Sequence, residues 1–284
     1  MATNHALPPL QQVILNIYKE IKVILDRHHL RYFAIGGTCI GAVRHQGFIP
    51  WDDDLDIGLP DADYDRFLKI AEQELPPHLG VVDCTEQRGV SALSAKVFDK
   101  NTTFIEAIYR DNPDACTGVF VDIFKLSGCP DDERERARFF KRLRMLCRLN
   151  EKRRLRFSQL DRTRSKLLWL AVLPMKALPY CFWSDRIKKL TDAHPYDARE
   201  QVIFSWDSHF ERLMMARAAV YGDGVDLPFE DTEVRCASDY DTFLTVSFGD
   251  YMTLPPENER RAKHSDNSII DLSRPYRVPT PPRK

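Results

Sequence analysis

The segment at residues 36–58, GGTCIGAVRHQGFIPWDDDLDIG, constrains this chain more than any other part of it. An aromatic and β-branched run, Tyr32 to Ile35, stops abruptly at Gly36-Gly37, which reads as a short strand closed by a tight turn. The turn leads into a short helix carrying Thr38 to His45 and ending near Gly47. Phe48-Ile49-Pro50-Trp51 then feeds a second strand containing Asp52-Asp53-Asp54-Leu55-Asp56-Ile57. The order strand, glycine turn, helix, acidic strand is what a clamp for a metal–nucleotide complex requires.

Asp54 and Asp56 are two apart on the expected strand, so their carboxylates project from one face and can converge on one or two hard cations. A third acidic residue flanked by apolar β-formers is Asp122, in Val121-Asp122-Ile123, where a neighbouring strand can bring it alongside the pair. Three carboxylates around Mg2+, with Mn2+ as a substitute, form a centre for phosphoryl transfer. Backbone at Gly36 and Gly37 can approach phosphate oxygens closely, and the free N–H groups of the helix starting at Thr38 favour an anion. Arg44, about two turns into that helix, either reaches the donor's phosphates or stabilises the loop.

Each of these residues also has a plainer reading. Asp52, Asp54 and Asp56 alternate as in a calcium loop, but Ile57 stands where the sharp turn needs glycine and Asp63 where a bidentate glutamate belongs. A solvated acidic turn is the other alternative, and the apolar flanks and upstream glycines argue against it. Asp52 shares the parity of Asp54 and suits an outer-shell or donor contact, whereas Asp53 points the other way and suits a structural role. Asp122 alone reads equally well as a partly buried aspartate paired with an arginine. Lys96 either neutralises a donor phosphate or is a cation on a half-exposed strand. His264 is a contact for phosphate or acceptor, or a structural histidine. Trp51, Tyr251 and Trp206 can line a pocket for a quaternary ammonium, although core packing explains any single ring.

Around this segment the chain alternates helix and strand. Val13, Ile14, Ile17, Ile21, Ile24 and Leu25 recur at helical spacing over residues 10–29, and Asp61 to Glu74 repeats the pattern with an acidic first turn, stopped by Pro76-Pro77. Strand-like runs follow at Val81-Val82, Leu93 to Phe98, Thr102 to Ile105 and Val119 to Phe124, completing a mixed sheet. The expected architecture is α/β (α+β), a mixed sheet flanked by helices. Its catalytic core spans residues 1–130, a basic helical insertion residues 131–200, and a C-terminal part at 201–284 completes the catalytic domain. The proline-rich tail after Arg274 is expected to be disordered.

Charge is balanced overall, with 41 basic and 42 acidic residues, so nucleic acid is not an expected partner. Residues 134–166 depart from this balance, with 14 basic and 3 acidic residues ahead of the apolar run Leu167 to Leu173. Such a segment suits peripheral contact with an anionic membrane, or is a solvated helical hairpin. Seven cysteines without a C-x-x-C pair suit a reducing cytoplasm. The N-terminus does not read as a secretory signal, and no apolar run is long enough for a membrane span.

Residues 36–58 resemble the signature of the LicD family of phosphocholine transferases, which includes the fukutin-related proteins and lies in the nucleotidyltransferase superfamily. Lys96-Val97-Phe98-Asp99-Lys100-Asn101-Thr102, Val121-Asp122-Ile123-Phe124, and Phe248-Gly249-Asp250-Tyr251-Met252 running to Leu254-Pro255-Pro256 also match its pattern. The resemblance covers most of residues 30–264. Cys39 stands where an aliphatic residue is commoner, and Phe248 where tyrosine is usual; neither removes a metal ligand. The resemblance implies a nucleotidyltransferase-like core with Asp54 and Asp56 as magnesium ligands and Asp122 as third carboxylate, either ligand or base. It also implies transfer of a phospho-alcohol from a CDP-linked alcohol, typically CDP-choline, to a sugar of teichoic acid or lipopolysaccharide, with release of CMP. Transfer of a whole nucleotidyl group, or a non-catalytic nucleotide-binding role, are the alternatives.

Overall fold

A computed structural model describes residues 7–83, 94–106, 118–153, 173–174, 178, 181–204, 214–262, 264–265 and 268–275. Its centre is a seven-stranded mixed sheet. The long strand β6 (Phe120–Gly128), buried along its whole length, is the hub. β2 (Asp56–Pro60) runs parallel to β6, with Asp56 opposite Asp122 and Pro60 opposite Leu126. β4 (Ser94–Asp99) runs antiparallel to β6, with Lys96 opposite Asp122. β1 (Phe33–Ala34) extends the sheet beyond β2, and β3 (Leu79–Asp83) extends it beyond β4. From the C-terminal third of the chain, β7 (Gln201–Phe204) joins the far end of β6 and carries β8 (Met215–Ala216).

Helix α1 (Pro9–Arg27) forms because its apolar residues recur every three or four positions, and it buries Ile14, Ile17, Tyr18, Ile21, Ile24 and Leu25. Proline in its first turn costs nothing, since that N–H has no partner within the helix. Helix α3 (Asp61–Glu74) places Asp61 and Asp63 in its first turn, where the helix dipole favours them, and stops before Pro76. α1 and α3 lie against each other and over the central strands. Their side chains join Ile57, Leu59, Val121, Ile123 and Leu126 in one core. Bridging the ends of this architecture, β9 (Val225–Phe229) and β10 (Thr232–Cys236) form a hairpin, and β11 (Ile269–Asp271) pairs with β5 (Thr103–Ile105).

Beyond β6 the chain enters α4 (Glu133–Arg153), which packs on α5 (Phe182–Asp192). Phe139, Phe140, Leu143, Leu146, Cys147 and Ile187 make a second, smaller core that is closed by Ile203 of β7. The middle of the basic segment, including residues 154–172, lies outside the described residues, as do Trp206 and the tail from residue 276. Among the described residues, no helix is long and apolar enough to cross a membrane.

Local boundaries differ from the sequence reading in two places that matter. The glycines are not a turn before the helix but its first residues: α2 spans Gly36–His45, with Gly36 at φ +56°. β2 starts only at Asp56, so Asp54 precedes the strand instead of lying on it. The alternation still holds through the lead-in, because Leu55 and Ile57 are fully buried while Asp54 and Asp56 are half-buried.

Candidate active site

The site forms where three strands set charged residues side by side. Asp56, Asp122 and Lys96 occupy one row across β2, β6 and β4, each the register partner of the next. Adjacent strands are about 4.8 Å apart, so the two carboxylates are held close by backbone hydrogen bonding. Burial raises the pKa of Asp56, and Asp54, Asp122 and Asp52 add to the effect. Burial likewise raises Asp122, and Lys96 opposes the shift. Asp122 is faced by the Lys96 ammonium at 3.6 Å, and the carboxylate oxygens around it are of the kind that suits a hard divalent ion such as Mg2+.

Two features of α2 hold the acidic segment in place. The Thr38 hydroxyl accepts a hydrogen bond from the backbone N–H of Asp56 at 2.8 Å, which fixes the point where β2 begins. A side chain on Gly37 would overlap the Asp52 carboxylate, so only glycine lets Asp52 pack against the helix start. At Gly36 the Asp56 carboxylate would meet a β-carbon only in ordinary contact, at 3.4 Å, and it is the positive φ of +56° that favours glycine there. Gly37 therefore admits the Asp52 carboxylate beside the helix start.

Among the described residues, the acidic group whose ligand atoms all lie within 4.8 Å of one another is Asp52, Asp53 and Asp54; the expected set Asp54, Asp56 and Asp122 is not drawn together that tightly. Asp53, however, is buried and accepts the backbone N–H groups of His264 and Ser265. That matches its expected structural role and leaves Asp52 and Asp54 as the triplet's members directed toward Asp56.

His264 is brought across from the C-terminal segment. Its Nε2 lies 2.9 Å from Asp54 Oδ2 and its Nδ1 3.4 Å from Glu106 Oε1. Asp54, with Glu106 behind it, pushes the ring's pKa up to about 11, so it is an imidazolium at neutral pH. Lys96 is not a half-exposed surface cation: it is 7% exposed, with Nζ 3.3 Å from Glu106 and 3.6 Å from Asp122, above the ring of Phe120. Ser94 donates to Asp122 Oδ1 at 3.3 Å.

Glu106 is the residue that sequence reasoning missed. Burial would push its pKa up, but Lys96 and His264 hold it down at about 2. It is the shared anion between the two site cations. The one signal for it in the sequence was a lone acidic residue following the β-forming run Thr103 to Ile105.

Two other expected residues lie to the side. Arg44 donates to the Tyr251 carbonyl at 2.6 Å and to His45 at 3.0 Å, so it ties α2 to the segment after helix α6 (Tyr240–Phe248). Of its two expected roles, the loop contact is the one present. Trp51 is half-buried, and the Arg260 guanidinium lies 5.7 Å from its ring centre. Tyr251 is 9% exposed and its hydroxyl donates to Asp241, which is the packing role.

Comparison with known proteins places this geometry. Residues 29–134, which contain Asp52, Asp53, Asp54, Asp56, Glu106 and Asp122, match the family LicD/FKTN/FKRP, nucleotidyltransferase domain. The chain is 28% identical over 268 residues to the lipopolysaccharide cholinephosphotransferase LicD of Haemophilus influenzae, covering 92% of this chain and 96% of that protein. Shorter matches join it to two uncharacterised proteins. One, from Rickettsia typhi, is 42% identical over 60 residues, 21% of this chain and 19% of that protein. The other, from Rickettsia prowazekii, is 40% identical over 60 residues, 21% of this chain and 23% of that protein. The strands β1 to β6 and the row of charged residues they carry thus lie within the region that is similar to the nucleotidyltransferase domain of the LicD/FKTN/FKRP family.

Proposed function

We propose that the protein is a LicD-type phosphotransferase that moves phosphocholine, or a related phospho-alcohol, from a CDP-linked donor to a sugar hydroxyl of a cell-surface glycan or its lipid-linked precursor. The observation that carries this reading is the register pairing of Asp56 with Asp122, with Asp54 adding its charge to theirs. The name and near full-length match of the Haemophilus influenzae relative support phosphocholine and a glycan acceptor.

In this reading Asp54, Asp56 and Asp122 hold Mg2+. Bound there, the ion neutralises the donor's diphosphate and the charge that develops as CMP departs. Thr38, Gly36 and Gly37 keep the acidic segment in place against α2. Lys96 and His264 add positive charge beside the carboxylates, toward the phosphate that is transferred. Asp52 steadies the approach to Asp56. The reaction breaks the bond between the transferred phosphorus and the CMP oxygen and forms one to the sugar oxygen; the sugar's proton leaves to a carboxylate or water. The workplace in this reading is the cytoplasm, at the inner face of the membrane where lipid-linked acceptors are found.

The test is incubation of the full chain with Mg2+, a sugar acceptor and a panel of CDP-linked choline, ethanolamine, glycerol and ribitol, with CMP release measured against Asp54→Asn. Release from one donor, lost in the variant, is the expected outcome. Attachment of the nucleotide itself to the acceptor would replace this reading with nucleotidyl transfer, and nucleotide binding without turnover would replace it with a non-catalytic module.

A further inference from the structure

Five of the seven basic side chains described on α4 form one stripe; Arg136 and Arg144 lie off it. On α4, Arg134, Arg138, Lys141, Arg142 and Arg148 are all exposed. At about 100° per residue they fall within an arc of roughly 120°, and Met145, 52% exposed, lies near its middle. The opposite face carries Phe139, Phe140, Leu143, Leu146 and Cys147 into the second core, which fixes the orientation of the stripe. Glu133 and Glu135 are confined to the first turn, where the helix dipole accounts for them.

Several other cations on the protein are paired. Arg27 pairs with Glu74, Arg31 with Asp63 and Asp197, Lys125 with Asp65 and Asp192, and Arg235 with Asp226. None of the five cations on the α4 stripe has a carboxylate partner among the described residues. In a chain whose charges balance overall, the concentration of unpaired cations on one helix face is a local property of that face.

We propose that this face of α4 docks the protein on an anionic lipid surface, with Arg134, Arg138, Lys141, Arg142 and Arg148 contacting headgroup phosphates and Met145 entering the interface. Two observations favour a membrane over nucleic acid. The aromatic residues at this level, Phe139 and Phe140, are 5% and 4% exposed, so no ring is offered for base stacking. The one exposed apolar side chain within the arc is a flexible methionine, which suits shallow insertion. The inference does not rest on the proposed chemistry. Asp122 lies near the start of β6 and α4 follows its end, so about six residues of strand, roughly 20 Å, separate stripe and site.

Flotation of the full chain with phosphatidylcholine vesicles, with and without phosphatidylglycerol, tests it. Binding is expected only to the anionic vesicles at low salt and is lost near 1 M salt, where the Debye length is about 3 Å. The variant Arg138→Glu/Lys141→Glu/Arg142→Glu is expected to lose affinity about 100-fold. Lys69→Glu/Lys100→Glu/Arg274→Glu, which reverses three exposed charges outside α4 and α5, is expected to lose far less. If the first variant fails to fold by circular dichroism, Arg134→Gln/Arg148→Gln at the ends of the stripe serves in its place. Three results would overturn the proposal: no binding to anionic vesicles, equal binding to neutral ones, or wild-type binding by the stripe variants, which would assign the contact to another basic segment. Retention of a single-stranded oligonucleotide without vesicle binding would overturn it in favour of a nucleic-acid partner.

Discussion

Asp56 and Asp122 face each other across two parallel strands, so the repulsion between their carboxylates is built into the hydrogen-bond register of the sheet. Neither can move away without breaking the pairing that holds the centre of the fold. In the absence of a cation the arrangement lowers stability, and a group that neutralises it restores what is lost.

Asp56→Asn is therefore expected to act in opposite directions on stability and function. It removes one of two mutually repelling charges, so without metal its melting temperature rises, on the order of 2–4 °C for about 1 kcal/mol. Turnover falls by at least about 100-fold, as expected when a group acting on transition-state charge is lost. Differential scanning calorimetry with and without Mg2+ checks the first half. Wild type gains melting temperature on adding Mg2+ by mass action, and the variant loses most of that gain. A variant less stable than wild type in chelator would show that the two carboxylates do not repel.

Glu106→Gln is expected to fail differently. Glu106 balances Lys96 and His264, so its neutral analogue leaves two cations near one another with only Asp54 and Asp122 for partners. Loss of one member of a largely buried ion-pair network costs about 3 kcal/mol. The half-saturation concentration for Mg2+ is also expected to rise, because Lys96 and His264 are then drawn more tightly onto the metal-binding carboxylates. Glu106→Asp keeps the charge and restores stability in part. Urea unfolding together with a Mg2+ titration of activity separates the two effects; an unchanged Mg2+ requirement in Glu106→Gln would leave Glu106 a purely structural residue.

Much of this site was legible in the sequence, because its parts are local. The spacing of Asp54 and Asp56, the apolar flanks of Asp122 and the paired glycines each follow from periodicity and backbone permissiveness. The helices α1 and α3 were legible for the same reason. What was not legible depends on pairing between distant segments. Nothing near Lys96 announces that Glu106 and Asp122 enclose it, and nothing in residues 264–265 announces a return to Asp53 and Asp54. The contact of Asp52 with the start of α2 was not legible either, because Asp52 reaches it through a turn that periodicity does not describe.

Gly37→Ala tests that last point. The added methyl group would overlap the Asp52 carboxylate, which must then leave its place beside α2. Overpacking of this kind costs about 1–3 kcal/mol. The displaced Asp52 no longer adds its charge beside Asp56, so activity is expected to fall while the helix itself persists by circular dichroism. Combining Gly37→Ala with Asp52→Ala removes the overlap, and the stability deficit of the double variant is then expected to be smaller than the sum of the two single deficits by about 1 kcal/mol or more. Simple additivity in the unfolding midpoints would show that the methyl group is accommodated elsewhere.

Arg44→Ala probes the link between α2 and the C-terminal segment. The guanidinium donates to the Tyr251 carbonyl, and Tyr251 in turn donates to Asp241 on α6, so one side chain connects the helix below the acidic segment to the segment that follows α6. A charged hydrogen bond to backbone contributes about 1.5–3 kcal/mol, part of which Arg44→Lys keeps because an ammonium also donates to a carbonyl. If Arg44 serves only this link, both variants retain the wild-type affinity for a CDP-linked donor, and Arg44→Ala loses stability and protection of the segment around Tyr251 from hydrogen exchange. If Arg44 instead holds the donor's phosphates, donor affinity falls about tenfold or more in Arg44→Ala while exchange around Tyr251 is unaltered. Measuring donor affinity and exchange on the same samples decides between the two roles, because each predicts a change in one quantity that the other leaves alone.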